Sequence, residues 1–547
     1  MQKLKKLLTL IDNNLFLTAL SFFIFLIPLY PKLPLLHVEY TYIWIRADDF
    51  MVVILSIIFI LQLLRRKLTL NRKLIIPIGI FWIAVLSSFI YHVYIVKSMP
   101  YVWVAFLHAL RRIEYILIFF IAASFIKTKK DFSVVLLTLF SSLTLVVVYG
   151  LGQKFIGFPA VQTMNPAFAR GLILLLTPEA RISGTFAGHY DLSSFLVFLL
   201  PIILGMHLSR KYFTILRNSE LFIYVCGFIS IIILTINLRI TNWWIIILIM
   251  SIPLVILRLS TATIKEKMLT LLVALTSISI LIFTASRISF ISFMLTTPIF
   301  LLFFKKYRLF VIVLIFTLTT SYFSKDLTNR FSKTFQVKQI LVDEKTGSVY
   351  VPQKISTKEL PAGSAYIDLN KTKPITKETE LYKEQVLRDA TASGKTLTED
   401  EKNKLLASLE ANLKAVSSVV ADISFATRLQ IEWPRAIRAF SKNIVFGTGP
   451  FSITEATDND YLRALGEFGL FGFISFAYII LTIFWLIFRN LKQITADHKP
   501  IFIGFIFGLA ALLINASYID VFEASKVAYT FWLVAGSMIG YLSIVKK

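Results

Sequence analysis

Cysteine is nearly missing from this chain: Cys226 stands alone among 547 residues, inside an apolar run, which excludes a disulfide framework and a thiolate metal site. No His, Cys and carboxylate grouping has metal-ligand spacing, so neither a metal nor another cofactor is expected. No clear internal repeat appears, which removes the usual signature of a repeat-built transporter. Charge is sparse at 16%, and acidic residues are the scarcer sign, 32 against 57 Lys and Arg. In a soluble protein that excess would suggest a nucleic-acid partner. Here the basic residues fall mainly in short gaps between apolar runs, where the positive-inside bias accounts for them, and no nucleic acid is expected. What abounds is apolar: 56% hydrophobic residues, 14% aromatic and a mean hydropathy of +0.74, more than one soluble core can hide. Membrane lipids must be part of the solvent.

Apolar stretches near the length that crosses hydrocarbon, about 17 to 25 residues, recur near 15–30, 50–64, 74–96, 101–126, 132–150, 189–208, 221–237, 240–257, 268–285, 288–304, 309–323, 469–488, 501–516 and 528–544. They predict an all-α polytopic membrane protein with about fourteen transmembrane helices. The first follows Lys3, Lys5 and Lys6 with no small-residue cleavage signature after it, and reads as an uncleaved helix. Arg65-Arg66-Lys67 with Arg72-Lys73, Lys127/Lys129/Lys130, Arg210-Lys211, Arg258 with Lys265 and Lys267, Lys305-Lys306 with Arg308, Arg489 with Lys492, and Lys546-Lys547 fall on one side of successive spans. That side is the cytoplasm, which places both termini there and the chain in the cytoplasmic (inner) membrane.

The largest opposite-side gap is 324–466, a large external loop between an N-terminal transmembrane region, 1–323, and a C-terminal one, 467–547. Within it lies an insertion of about 337–420. Residues 337–353 alternate around Asp343-Glu344-Lys345-Thr346-Gly347 as a small β-hairpin. Residues 377–388 and 398–420 read as helices, the second opened by Thr398-Glu399-Asp400-Glu401. No metal-ligand spacing, Ser/His/Asp arrangement or glycine-rich phosphate loop occurs in the insertion, which points to a structural or acceptor-recognition role. Residues 423–440 form a basic amphipathic helix with Arg428, Glu432 and Arg435 on one stripe and Trp433, Ala436 and Phe440 on another, near the membrane surface.

Arg428, Trp433, Gly447-Thr448-Gly449-Pro450, Asn459-Asp460-Tyr461-Leu462 and Gly469-Leu470-Phe471-Gly472 then follow in order before the terminal spans. Upstream stand Tyr149-Gly150-Leu151-Gly152-Gln153, Arg181-Ile182-Ser183-Gly184-Thr185-Phe186 and Thr284-Ala285-Ser286-Arg287, all on the outer side. Together these pieces, scattered over roughly 145–490, resemble the O-antigen ligase and O-antigen polymerase superfamily. The resemblance implies a GT-C-like membrane glycosyltransferase. Such an enzyme takes a glycan from a polyprenyl diphosphate donor and joins it, without a metal ion, to a lipid, glycan or protein acceptor at the outer face.

The sequence departs from the family at its most chemical position, where the usual His-Asn pair is Asp458-Asn459. A carboxylate of raised proton affinity can serve as the base for an acceptor hydroxyl, which makes Asp458 the catalytic candidate; helix capping explains the same residue equally well. Arg287, Arg428 and Arg181 lie on the side that the positive-inside bias does not explain, and planar guanidinium groups suit a diphosphate leaving group. Interfacial snorkelling is the alternative for Arg181. His189 reads as an ordinary interfacial residue, as a substitute base or, with Asp191, as part of the acceptor lining; Asn459 and Tyr461 complete the expected substrate contacts. Arg111, Arg112 and Glu114 read as a mutually paired structural group, and Arg46, Asp48 and Asp49 as either lipid-head-group contacts or interfacial pairs. Two other functions remain open: a lipid-linked glycan transporter or flippase, and a catalytically inactive glycolipid-binding member. The topology carries a direct test: a reporter fused within 371–413 is expected outside the cytoplasm, and reporters after Lys211 or Lys306 inside. A cytoplasmic reading within 371–413 would overturn the outer-face assignment.

Overall fold

The computed structural model describes residues 2–41, 43–163, 168–177, 180–209, 220–238, 243–259, 263–332, 335–343, 349–350, 413–421, 428–453 and 456–545. A helix occupies each of the predicted apolar stretches: α1 (Gln2–Leu29), α2 (Ala47–Leu64), α3 (Ile75–Ile90), α4 (Val102–Phe125), α5 (Lys129–Phe155), α6 (His189–Leu208), α7 (Glu220–Asn237), α8 (Trp243–Leu259), α9 (Thr263–Phe283), α10 (Arg287–Phe303) and α11 (Tyr307–Phe323). A short α12 (Lys325–Ser332) follows, and beyond the insertion come α13 (Trp433–Lys442), α14 (Asp460–Asn490), α15 (Lys499–Ala516) and α16 (Ser525–Val545). Eight helices among the described residues are long and apolar enough to cross a membrane, and four shorter apolar helices accompany them. The protein is a multi-pass membrane protein, mostly helical.

Burial sorts the bundle. The apolar stretches of α5, α6 and α16 are enclosed by their neighbours, whereas α2 turns most of its surface outward, as a lipid-facing helix does. Because lipid is as apolar as leucine, helices associate through close packing and polar links rather than through hydrophobicity. Two Gly-x-x-x-Gly pairs supply the packing. A Cβ at Gly504 or Gly508 of α15 would sit 2.3 Å from the carbonyl oxygen of Pro201 or Phe198 on α6, and one at Gly536 of α16 2.3 Å from that of Phe119 on α4. Polar links join the same helices: Ser289 Oγ on α10 donates to Asn515 Oδ1 on α15 (2.7 Å), Asn515 Nδ2 donates to Ser292 Oγ (2.6 Å), and Ser193 Oγ on α6 lies 2.8 Å from Ser289 Oγ. Nearer the helix ends, buried Lys526 donates to the carbonyls of Pro28 (3.0 Å), Tyr30 (2.7 Å) and Thr185 (2.7 Å), tying α1, the loop before α6 and α16 together.

The insertion departs from one expectation. Two short antiparallel ladders, β1 (Pro34–Leu36) with β2 (Ile45–Arg46) and β3 (Ala160–Val161) with β4 (Ile173–Leu174), come earlier in the chain; in the insertion, β5 (Phe335–Asp343) pairs antiparallel with β6 (Val349–Tyr350), as the hairpin reading required, and also with β7 (Leu413–Ala421) from Phe335↔Ala421 to Asp343↔Leu413. Residues 413–420, expected to be helical, are therefore a strand. The reason is compositional: Val416, Val419 and Val420 are β-branched and lose side-chain freedom in a helix, and a nine-residue partner strand is available. The expected helix over 377–388, the start of the one at 398, and residues 423–427 of the amphipathic helix lie outside the described residues. From Arg428 that helix begins as a π-helical turn, Arg428–Glu432, and becomes α-helical at Trp433, with Pro434 in the first turn where its missing N–H costs nothing. The glycine contacts generate a test: Gly508→Leu must drive a side chain into the Phe198 carbonyl, an overpacking cost of about 1–3 kcal/mol or more. A lowered unfolding temperature of the detergent-solubilised protein is expected, and an unchanged one would mean α15 does not pack on α6 in this way.

Candidate functional site

Four arginines meet at one end of the bundle. Gln153 near the end of α5 accepts the N–H of Ser183 (3.1 Å) and of Gly184 (2.8 Å) at Oε1 and donates through Nε2 to the Pro159 carbonyl (3.0 Å), fixing the loop that carries Arg181. Arg181 Nη1 stands 3.2 Å from His189 Nε2 at the start of α6. A guanidinium only donates, so Nε2 accepts; the imidazole is then neutral with its proton on Nδ1, which makes His189 a hydrogen-bond donor rather than a free base. Arg287 opens α10 after Ala285, whose φ of +51° turns its carbonyl toward Arg330 Nη1 (2.7 Å). Arg287 Nη1 in turn donates to the Arg330 carbonyl (3.4 Å), and Arg330 Nη2 donates to the Tyr190 hydroxyl (3.4 Å). Arg428 lies with its guanidinium carbon 5.5 Å from the centre of the Tyr190 ring and 4.2 Å from that of Tyr518, a cation–π arrangement for a buried charge.

The negative partner of Arg428 is Asp458, at 2.5 Å. Asp458 itself has a φ of +50°, a left-handed turn that Asp tolerates better than most residues. The helix-capping explanation falls to its neighbour: Asn459 is the N-cap of α14, its Oδ1 accepting the Leu462 N–H at 3.0 Å, while its Nδ2 donates to the Ser517 carbonyl (2.9 Å). Tyr461 donates its hydroxyl proton to the Leu513 carbonyl (2.7 Å). The polar atoms of Asn459 and Tyr461 are thus engaged with backbone, and the Asp458 carboxylate is turned to the arginines.

What holds this turn in place is Asp520, in the loop between α15 and α16. Its carboxylate accepts the N–H groups of Thr457 (2.9 Å), Asp458 (3.0 Å) and Asn459 (3.0 Å) and an Nη2 hydrogen of Arg463 (3.0 Å). Asp460 reciprocates by accepting the N–H groups of Val521 (2.7 Å) and Phe522 (3.1 Å). Burial acts to raise the Asp520 carboxyl, but Arg463 and the three N–H groups outweigh it and hold it below the usual carboxylate range. Asp458 goes the other way: burial pushes it up to about 7, opposed by Arg428 and reinforced by the negative charges of Asp520 and Glu432. Two neighbouring carboxylates are thereby separated into a permanent anion and a group that exchanges a proton near neutrality. Some 20% of the Asp458 side chain is exposed, enough for a substrate to reach it.

Behind the turn, Glu467 on α14 pairs with Arg112 (3.3 Å) and Arg463 (3.4 Å) and accepts the Phe451 N–H (3.3 Å), and Arg112 pairs again with Glu523. Arg111 pairs with Asp49 (3.7 Å) and Glu114 accepts from the Tyr529 hydroxyl, so these charges are structural, but their partners lie on other helices rather than on α4. Asp48 pairs with Lys32 at 2.9 Å and Asp49 accepts the Arg46 backbone N–H at 2.8 Å, so both carboxylates have partners within the protein. Gly447 and Gly469 have φ of +67° and +65°; a Cβ on Gly447 would meet Glu467 backbone at 2.5 Å, so the glycines let the 446–450 turn lie against the bend in α14.

Sequence reasoning missed Arg330, Tyr190, Tyr518, Asp520 and Arg463. Arg330 carried a usable signal, since it follows α11 in a gap expected on the outer side, where the positive-inside explanation would not apply, as for Arg287. Asp520 carried only its place in the last gap expected on that side. Compared with known families, residues 272–477 match the family model described as O-antigen ligase, and the resemblance to the O-antigen ligase and polymerase superfamily is shown over that stretch. It contains Arg287, Arg330, Arg428 and Asp458; Arg181, His189 and Asp520 lie outside it. No curated protein matches the sequence. The clamp at Asp520 is open to test by hydrogen exchange. Asp520→Asn turns an N–H donor toward donors and loses the Arg463 pair, a local cost of about 1–3 kcal/mol. Faster exchange at the amides of 457–459, with the core of α16 still protected, is expected; unchanged exchange there would mean another group fixes the turn.

Proposed function

We propose that this multi-pass membrane protein, matched over residues 272–477 to the O-antigen ligase family, transfers a glycan from a polyprenyl diphosphate carrier to an acceptor hydroxyl. The reaction takes place at the outer face of the cytoplasmic membrane, with arginines rather than a metal ion supplying positive charge. The observation that carries this reading is the convergence of Arg181, Arg287 and Arg428 around His189, Tyr190 and Tyr518, with the proton-exchanging Asp458 in contact with one of them. A diphosphate is the anion that such a group of guanidiniums fits, through paired N–H···O contacts and charge.

In this reading the incoming diphosphate takes over Arg428 from Asp458. The carboxylate then loses its cation and gains anionic neighbours, both of which raise its proton affinity, so donor binding itself strengthens the base. Asp458 removes the proton of the acceptor hydroxyl as the oxygen bonds to the anomeric carbon. The bond from that carbon to the diphosphate oxygen breaks, and polyprenyl diphosphate leaves with the electron pair against Arg287, Arg428 and Arg181. The His189 Nδ1–H is a further donor to a phosphate or sugar oxygen. Asn459 and Tyr461 act through the turn they hold. The polar groups gather at helix ends, at the starts of α6, α10 and α14 and around the α15–α16 loop, which supports an enzyme over a mid-membrane transporter path. Analysis of surface glycans after gene deletion separates the two family activities: loss of long chains marks a polymerase, and accumulation of unattached full chains a ligase.

Turnover of a lipid-linked donor by the purified protein tests the site. Arg287→Lys and Arg428→Lys keep a charge but lose the planar fork, and each is expected to lose about 1.5–3 kcal/mol of transition-state stabilisation, roughly ten- to a hundred-fold in kcat/KM. A base works only when deprotonated, so wild-type kcat/KM should rise through about pH 7 to a plateau as Asp458 ionises, and Asp458→Asn should abolish that rise with donor binding retained. Wild-type turnover in both arginine variants would place the diphosphate elsewhere, and a wild-type protein that binds donor without turnover would be the inactive glycolipid-binding member.

A further inference from the structure

Arg330 touches the supports of two other arginines of the cluster. It is 8% exposed, and its guanidinium spans from the Ala285 carbonyl (2.7 Å), just ahead of Arg287, to the Tyr190 hydroxyl (3.4 Å), whose ring lies against Arg428. Its own carbonyl receives Arg287 Nη1 at 3.4 Å. In the sequence Arg330 precedes β5 and Arg428 follows β7, and those nine-residue strands pair along their whole length, with Phe335 opposite Ala421. One planar group therefore meets both the turn that presents Arg287 and the ring that backs Arg428.

We infer that Arg330 is a positioning residue that sets Arg287 and Arg428 at the spacing of a single diphosphate, acting through the Ala285 carbonyl and the Tyr190 hydroxyl. The inference rests on the diphosphate reading of the site and adds to it a residue whose work is geometric. A lysine keeps the charge, but one ammonium at the end of a flexible stem does not hold two acceptors in a fixed plane. Removing the Tyr190 hydroxyl as Tyr190→Phe leaves the ring under Arg428 and deletes one end of the span.

Inorganic pyrophosphate as a competitive inhibitor of turnover reads the spacing directly. Arg330→Lys is expected to raise its inhibition constant and lower kcat/KM about tenfold, with kcat/KM for a donor falling more than the unfolding temperature accounts for. Tyr190→Phe, which keeps a full-sized buried ring, is expected to give a smaller loss of about threefold and serves where Arg330→Lys folds poorly. The double variant should be no worse than Arg330→Lys alone, because both changes break one span. Multiplied losses in the double variant, or wild-type pyrophosphate inhibition in Arg330→Lys while Arg287→Lys and Arg428→Lys are impaired, would overturn the role of Arg330 and leave the diphosphate reading standing. Wild-type inhibition in all four single variants would overturn both.

Discussion

Like charges held together in an apolar surrounding repel, and this is the constraint around which the site is built. Two unit charges about 6 Å apart interact by roughly 3 kcal/mol at an effective dielectric of about 20, so three buried guanidiniums beside a half-buried fourth persist only with compensation. The chain provides it in four chemical forms: the carbonyls of Ala285 and Arg330, the neutral imidazole of His189, the faces of Tyr190 and Tyr518, and the carboxylate of Asp458. Of these, Asp458 brings a carboxylate, and its proton exchanges near neutrality.

A second layer of charge keeps the first in register. Asp520 and Asp460 each accept backbone N–H groups from the other's loop, so the turn bearing Asp458 and the α15–α16 loop are fixed as one unit. Arg463, Glu467 and Arg112 extend the unit to α4. Asp520 is held an anion by the Arg463 charge together with its N–H donors, whereas burial beside other carboxylates raises Asp458 until its proton is mobile.

Helix positions were legible because lipid demands long apolar runs, and each such run is a helix. The strand at 413–421 was not, since capping residues at 398–401 suggest a helix and a distant pairing with β5 decides otherwise. Arg287 and Arg428 were legible from topology and motif together. Tyr190, Arg330 and Asp520 were not, because each acts on partners far along the chain: Asp520 on amides near 458, Arg330 on a hydroxyl of α6. Asn459's cap on the Leu462 N–H is local, but Asp458 beside it offers the same chemistry, and only the distant contact of Asp458 with Arg428 separates the two.

The ladder between β5 and β7 brings the two ends of the long insertion side by side. Closing a loop costs little more as the loop grows, because the entropy rises only with the logarithm of length. What lies between the paired ends is in effect a cassette: residues there can be lengthened, shortened or exchanged during descent while the arginines on either side stay where they are. A change of length or sequence there leaves the pairing of its two ends unaltered.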